Sequence, residues 1–442
     1  MKAEIKNIES VFNIKKLSIP AYQRPYRWQT KNVQDLLNDL LGAFHKNAQA
    51  AYRIGTIVLH KENINEETIS NIVDGQQRLV TLSLALDVLQ SKIHLNFIED
   101  LKFPHTDSQR NIFNNHHIIK NTLGKSGNTD FLKFIKEKCE VVVVSLDDLD
   151  AAFQFFDSQN SRGKSLEPYD LLKAHHLHAI SAEHPRTLKF VEQWERAVSP
   201  PKGQTSLKTI ISEVLFRLRS WHRGKYAPEF SSQHIHLFKG TAAHNCHPYA
   251  RQQMSAYALY SAARENHFAQ ALPPFQIHGP LLSGEFFFEY VEHYRMLHEK
   301  LFNNGGPITS IKLSNGKLLL DFLNSYAGRS RVGDSYLRLL FECTLLIYYD
   351  RFGDAYLDKV TQKIFSWVYI ERVVNPAIWF VRIEKMALDR GECGLLFHIQ
   401  HAVEPEDVLI FSRPPASSSD NDKASAGIRK PFEQLSEIFE EK

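Results

Sequence analysis

Cysteine is scarce: four in 442 residues, at Cys139, Cys246, Cys343 and Cys393, with no CxxC pair among them. That spacing excludes a disulfide framework and a zinc ribbon, and is expected of a protein kept in a reducing cytoplasm. Long apolar runs are missing too. The nearest approach, residues 337–349, is interrupted by Arg338 and Glu342, so a buried helix is expected there and no membrane span. Lys2, Glu4 and Lys6 put charge where a secretory leader would need an apolar stretch. Nor does one sign of charge prevail: 53 Lys and Arg against 50 Asp and Glu leave +3, too mild to mark a protein living on nucleic acid alone. What is present, 43% hydrophobic and 23% charged residues, describes a folded chain, and its length predicts two or three domains.

Up to about residue 180, strands and helices are predicted to alternate. The apolar run at residues 11–14 reads as a strand. Val33, Leu36, Leu37, Leu40 and Leu41 recur at helical spacing within 32–44. Residues 52–60 and 71–73 read as strands separated by a polar loop over 61–70. An amphipathic helix over 77–90 is predicted from Leu79, Leu82, Leu86 and Leu89, and a buried strand over 141–146 from its valines. A Pro-Pro-Lys-Gly linker around 199–204 separates this part from segments with mainly helical patterning. The expected class is α+β: a mixed domain at 1–198 and an α-helical domain at 205–412. A flexible tether follows at 413–431, then a short C-terminal helix at 432–442.

The chemistry concentrates in IVDGQQRL, residues 72–79. A strand ends, Gly75 permits a sharp turn and a helix begins at once. The first turn of a helix carries unpaired N–H groups and partial positive charge, which suit an anion. Arg78 adds a guanidinium with phosphate-matching geometry, Gln76 and Gln77 offer amides to orient a water or phosphate oxygen, and Asp74 can hold Mg²⁺. The plainer reading is that Asp74 caps the helix and Arg78 is solvated. However, an arginine opposing the helix dipole favours an anion partner. A second motif, IPAYQRPYRW at residues 19–28, interleaves Tyr22, Tyr26 and Trp28 with Arg24 and Arg27, which would suit a base and its phosphates. The same aromatics can equally plug the core while Gln23 and Arg24 face a pocket. The third, FFDSQNSRGKSL at 155–166, ends like a P-loop but has Ser158 where the first glycine belongs. It reads instead as a polar loop carrying Asn160, Arg162 and Lys164 toward the same pocket, with a new helix near Pro168.

These motifs, in this order and with a Gly55-Thr56-Ile57-Val58 strand and a DLLK segment at 170–173, resemble the domain of unknown function 262 family. That family has a ParB/sulfiredoxin-like fold and is found in GmrSD-type restriction enzymes and SspE-type sensors. The likeness covers about the first 180 residues. It implies nucleoside triphosphate (NTP) hydrolysis around Asp74, Gly75, Gln76, Gln77 and Arg78, with Gln23 and Arg24 lining the pocket and Asn160 and Arg162 facing it. It also implies Mg²⁺ or another divalent ion as cofactor and service in phage defence. Implied partners are DNA, modified phage DNA included, a separate nuclease subunit and a second copy of the chain, with no membrane. Relatives that continue into an HNH nuclease carry an EHI-x-P motif. Residues 397–405 only echo it, with no acidic residue before His398.

The first functional expectation is therefore an NTP-hydrolysing subunit that gates DNA recognition or cleavage. The alternatives are a non-catalytic sensor of DNA or modified bases, stacking them on Tyr22, Tyr26 and Trp28 with Arg27 and Lys164 nearby, and a ParB-like nicking nuclease. The pairs His175/His176, His234/His236 and His244/His247 lack the spacing of an HExxH helix and read as ordinary histidines; Asp147, Asp148 and Asp150 read as a helix start.

Overall fold

The computed structural model describes residues 2–20, 23, 25–64, 67–89, 106–124, 129–148, 151–152, 155, 167–180, 186–201, 203–242, 246–265, 272–303, 305–313, 316–375 and 377–411. The chain is α+β and forms two compact units, Met1–Glu192 and Gln193–Lys442. The residues assigned to the tether and the terminal helix lie outside those described.

The first unit is built on a five-stranded mixed sheet. In chain order its elements are β1 (Lys2–Asn7), α1 (Ile8–Phe12), β2 (Leu17–Ser18), α2 (Thr30–Asn47), β3 (Tyr52–Ile64), β4 (Glu67–Asp74) and α3 (Gln76–Val88). Then come α4 (Thr106–Leu123), α5 (Thr129–Lys133) with a π-helical turn at Phe134–Lys138, β5 (Cys139–Leu146) and α6 (Pro168–His178). The strand order is β1-β5-β3-β4-β2. β3 runs parallel to β5 and antiparallel to β4, while β1 is antiparallel to β5 and the short β2 parallel to β4. Period-two alternation sends Ile57, Leu59, Ile72, Val141 and Val143 to one face, where they join Leu37 and Leu40 of α2 and Leu79, Leu82 and Leu86 of α3 in one core. On the other face of β3, His60 meets His178 of α6, ring centroids 6.3 Å apart.

Three sequence expectations are corrected. Residues 11–14 form no strand: Asn7 caps a helix by accepting from Ser10 N–H at 2.9 Å, and Ile8, Val11 and Phe12 bury one side of it. A short apolar run carries no period of its own, so the cap decides. Within the polar stretch, residues 61–64 and 67–70 are strand and not loop. β3 and β4 pair through it as far as Ile64 opposite Glu67, helped by Thr68 Oγ1 donating to Asn63 Oδ1 at 2.7 Å. Finally, α3 is not amphipathic. Besides its leucines it buries Val80, Thr81, Ser83, Leu84 and Ala85, so it is a central helix enclosed on all sides.

The second unit is helical. The division from the first falls inside α7 (Thr187–Val198). A π-helical stretch at Lys208–Leu215 runs into α8 (Phe216–His222), followed by a 3₁₀ turn at Ser232–Leu237 and α9 (Pro248–Glu265). α10 (Glu285–Phe302), α11 (Leu319–Ser325), α12 (Val332–Phe352), α13 (Leu357–Val374), α14 (Phe380–Leu388), α15 (Leu395–His401) and α16 (Pro405–Ile410) complete it. α12 buries Leu337, Leu340, Phe341, Leu345, Leu346 and Ile347, so the interrupted apolar run of the sequence is core. Arg338 and Glu342, the interruption, pair with each other one helical turn apart. No helix among the described residues is long and apolar enough to cross a membrane.

Candidate functional site

β4 delivers its last residue, Asp74, opposite Val58 of β3, and Gly75 then turns the chain into α3. Gly75 has φ +95°, and a Cβ there would meet Ile57 Cγ1 at 2.9 Å, so both backbone conformation and space demand glycine. No side chain caps the helix it opens; the first intrahelical bond runs from Leu79 N–H to Gly75 O at 2.9 Å. Among the described residues, no side chain accepts from the first-turn amides of α3.

Arg78 leans back over β3. A Cβ on Gly55, at the β-bulge of that strand, would lie 2.2 Å from Arg78 Nη1, so one end of the guanidinium occupies the space left by the missing side chain. Arg78 Nη2 is 3.4 Å from Asp74 Oδ2, a loose pair, and both side chains are about three-quarters buried. Burial pushes the Asp74 carboxyl above its ordinary value, against the opposing pull of Arg78 and the Gly75 N–H. Gln76, the first helical residue, is only 5% exposed.

The aromatic–arginine loop is fastened beside this turn by side-chain amides. Gln23 Nε2 donates to Ile72 O at 2.9 Å and Val73 O at 2.7 Å, continuing along β4 from where β2 stops opposite Asn71. Gln77 Oε1 accepts from Arg27 N–H at 2.8 Å and Trp28 N–H at 3.1 Å, and its Nε2 donates to Pro25 O at 3.3 Å. Both ends of the Gln77 amide are thus engaged by the loop backbone.

Tyr26 has no exposed surface. Its hydroxyl bonds Thr81 Oγ1 at 2.8 Å and accepts from Asn115 Nδ2 at 3.1 Å, and burial raises its phenol pKa. For this residue the base-stacking expectation is corrected: a ring enclosed by core presents no face to a base, and the plug reading holds. Trp28 packs partly buried against the same core, and Arg27 is exposed. Tyr22, Arg24, Asn160, Arg162 and Lys164 lie outside the described residues. The structure therefore brings together Gln23, Asp74, Gly75, Gln76, Gln77 and Arg78.

Reading the sequence missed α4 altogether. Ser108 Oγ accepts from Tyr26 N–H at 2.8 Å, Asn111 Nδ2 donates to Tyr26 O at 3.1 Å, and Asn115 Nδ2 donates to Trp28 O at 2.7 Å. The available signal was a polar stripe at 108, 111 and 115, one face of a helix. Gly55 was quoted only as part of a strand, its service to Arg78 unseen.

Among the described residues no group of three or more His, Cys, Asp and Glu can hold a metal. Asp74 would serve a divalent ion as one carboxylate beside phosphate oxygens, a donor set that suits Mg²⁺. His234 and His236 are engaged at their own 3₁₀ turn, bonded to Ser231 and to Gln233 O. Asp148 accepts from Ala151 N–H at 2.7 Å, the helix-start role. The HNH echo at 397–401 sits on helix α15. A cavity of about 510 Å³ opens elsewhere on this unit, lined by Lys15, Lys16, Lys61, Glu67 and Ser70, and includes none of the motif residues.

No match is found among curated proteins. Residues 6–177 match the family model of the GmrSD restriction endonuclease N-terminal domain, the stretch that holds all of the geometry above. A second model, that of a family of unknown function (DUF7834), matches residues 186–426, more than half of the chain. The chain thus belongs to the family of unknown function DUF7834, and its first part is similar to the N-terminal domain of GmrSD restriction endonucleases.

Proposed function

We propose that the first unit is an NTPase that gates a restriction or anti-phage activity on DNA. The observation that carries the reading is the turn at Gly75: a helix start without a side-chain cap, with Arg78 held over it by the bare backbone of Gly55. The polyphosphate sits on the first-turn amides of α3, where the helix dipole favours anions, and Arg78 balances charge as it develops on the transferring group. Asp74 serves Mg²⁺, which supplies charge neutralisation at the phosphate oxygens when bound. Gln76 is the amide assigned to the attacking water, because Gln77 spends its own on the loop. Gln23 and Gln77 act as positioning residues that hold the loop as one wall of the site.

Cleavage of DNA is assigned to a partner nuclease subunit, since residues 397–405 only echo the HNH motif and have no acidic residue before His398. The sensor reading loses one of its stacking faces with the burial of Tyr26. The test is Arg78→Ala assayed for Mg²⁺-dependent hydrolysis of each of the four common NTPs. Loss of one transition-state donor is expected to lower kcat by roughly 10²–10³. Turnover equal to wild type, or no NTP turnover by the wild type, rejects the proposal.

A further inference from the structure

The helical unit contains a pocket of about 270 Å³ between the end of α8 and the corner joining α14 to α15. Its lining combines aromatic walls, Trp221 and Phe397, with His222, Arg390, Gln400 and His401. Arg390, an exposed residue, reaches the chain just past α8: its Nη2 would lie 2.8 Å from a Cβ on Gly224, which has φ +70°. On the other side, Arg351 Nη2 donates to Ala402 O at 2.6 Å, fixing the end of α15 that carries Gln400 and His401.

The lining holds one cation and one carboxylate, Arg390 and Asp389, and further arginines act on the histidine that stacks behind His222. His222 stacks on His278, centroids 3.9 Å apart and planes 6° apart, a contact that two imidazolium ions would not keep. Burial above all, and then His222, Arg219, Arg351 and Arg223, lowers the His278 pKa to about 2. Asp389, a carboxylate on the rim, is engaged by Gly391 N–H at 2.8 Å. In the lining, Gln400 Nε2 is buried without a hydrogen-bond partner, and outside it Arg219 Nε and the ring of His278, stacked on His222, are unmatched too. Buried donors without partners are rare in folded proteins, and one that lines a pocket points to a ligand acceptor.

We infer that this pocket binds the phosphate group of a nucleotide unit, with Arg390, His222 and His401 on the phosphate and Trp221 and Phe397 beside the sugar or base. A carboxylate has two oxygens and would leave such a spread of donors underused; a phosphate, with more oxygens, matches it. The volume is just below the usual range of roughly 300–1,000 Å³ for small-ligand pockets, which suits one nucleotide and not a duplex. The lining belongs wholly to the second unit, and the assignment stands whether or not the turn at Gly75 hydrolyses NTPs.

The test is calorimetric titration of the full chain with three probes: thymidine, thymidine monophosphate, and a thymidine dinucleotide bearing only the internal diester. Phosphate-bearing probes are expected to bind at least about tenfold more tightly than thymidine. The Arg390→Ala/His401→Ala variant, changed at two exposed positions, should weaken them at least about tenfold while Arg78→Ala leaves this binding intact. Preference for the monophosphate identifies a free nucleotide or strand end, and equal binding of the diester identifies strand interior. Binding untouched by the double variant, binding lost only with Arg78→Ala, or thymidine equal to its monophosphate overturns the assignment. His278→Phe, which removes the stacked imidazole but keeps a ring, should weaken binding with the others.

Discussion

Gly55→Ala tests the candidate site through a residue that need never touch substrate. The new Cβ would lie 2.2 Å from Arg78 Nη1 and 3.3 Å from its Cζ. Ordinary carbon contacts begin near 3.5 Å, so the guanidinium must retreat by roughly 1.3 Å. The far end of a flexible side chain can do so without displacing backbone, which leaves the core of the unit intact. The remaining cost to the fold is local: alanine at φ +142° is strained by about 1–3 kcal/mol. For the chemistry, a misplacement of about 1 Å in a charge-balancing group costs on the order of 10²-fold. Gly55→Ala is therefore expected to lower NTP turnover by about that factor while the protein still melts cooperatively, only earlier. The double variant Gly55→Ala/Arg78→Ala decides between a site effect and general weakening. If the glycine acts by seating the arginine, the double variant loses no more turnover than Arg78→Ala alone. Multiplied losses, or wild-type turnover in a folded Gly55→Ala protein, would refute the reasoning.

Two further outcomes are expected. Gln77→Ala leaves the N–H groups of Arg27 and Trp28 without their acceptor, at a cost of about 1–3 kcal/mol in urea unfolding, whereas Gln77→Glu keeps that acceptor but sets its second oxygen against Pro25 O and restores only part of the loss. Equal stability of Gln77→Ala and wild type would remove the clamp role. The second concerns Asp350, which burial pushes up to about 7 from an ordinary 3.8, against the opposing effects of Tyr294, the Ile277 amide and Arg351. A carboxyl with a raised folded-state pKa keeps its proton longer in the native state than in the unfolded one. Its contribution to stability is accordingly best at acid pH and declines as pH rises from about 4 to about 7, by up to about 4 kcal/mol in all. Asp350→Asn should flatten that limb of the stability–pH curve; an unchanged slope would show that Asp350 is ionised at neutral pH like an ordinary carboxylate.

Where a segment's fate depends on its own period, the sequence was legible. The leucines of α2 recur at helical spacing, and the helix is Thr30–Asn47; the valines before Leu146 form β5. The turn at Gly75 could be read for the same local reason, since strand end, glycine and helix start adjoin within a few residues. Illegible parts were those settled at long range. Val11 and Phe12 look like strand until the cap at Asn7 is counted. The polar residues before Ser70 look like loop until β3 and β4 are paired. α3 looks amphipathic until α4, whose sequence drew no reading at all, covers its far side with contacts to Tyr26 and Trp28.

The two adjacent glutamines of the motif show why a motif is a poor guide to roles. In sequence Gln76 and Gln77 are interchangeable amides, and both were natural candidates to orient a water. One helical step separates them by about 100° around the axis, so they cannot share a neighbourhood. Gln77 faces the loop and spends its oxygen on two N–H groups and its nitrogen on a carbonyl; Gln76, 5% exposed, makes none of these bonds. Loss of activity on replacing Gln77 would therefore say nothing by itself about water. The same holds for Tyr26 and Gln23, whose loss moves a wall of the site. Only a variant that leaves the loop anchored, such as Gly55→Ala, or a stability measurement made alongside turnover, separates residues that build this turn from those that act in it.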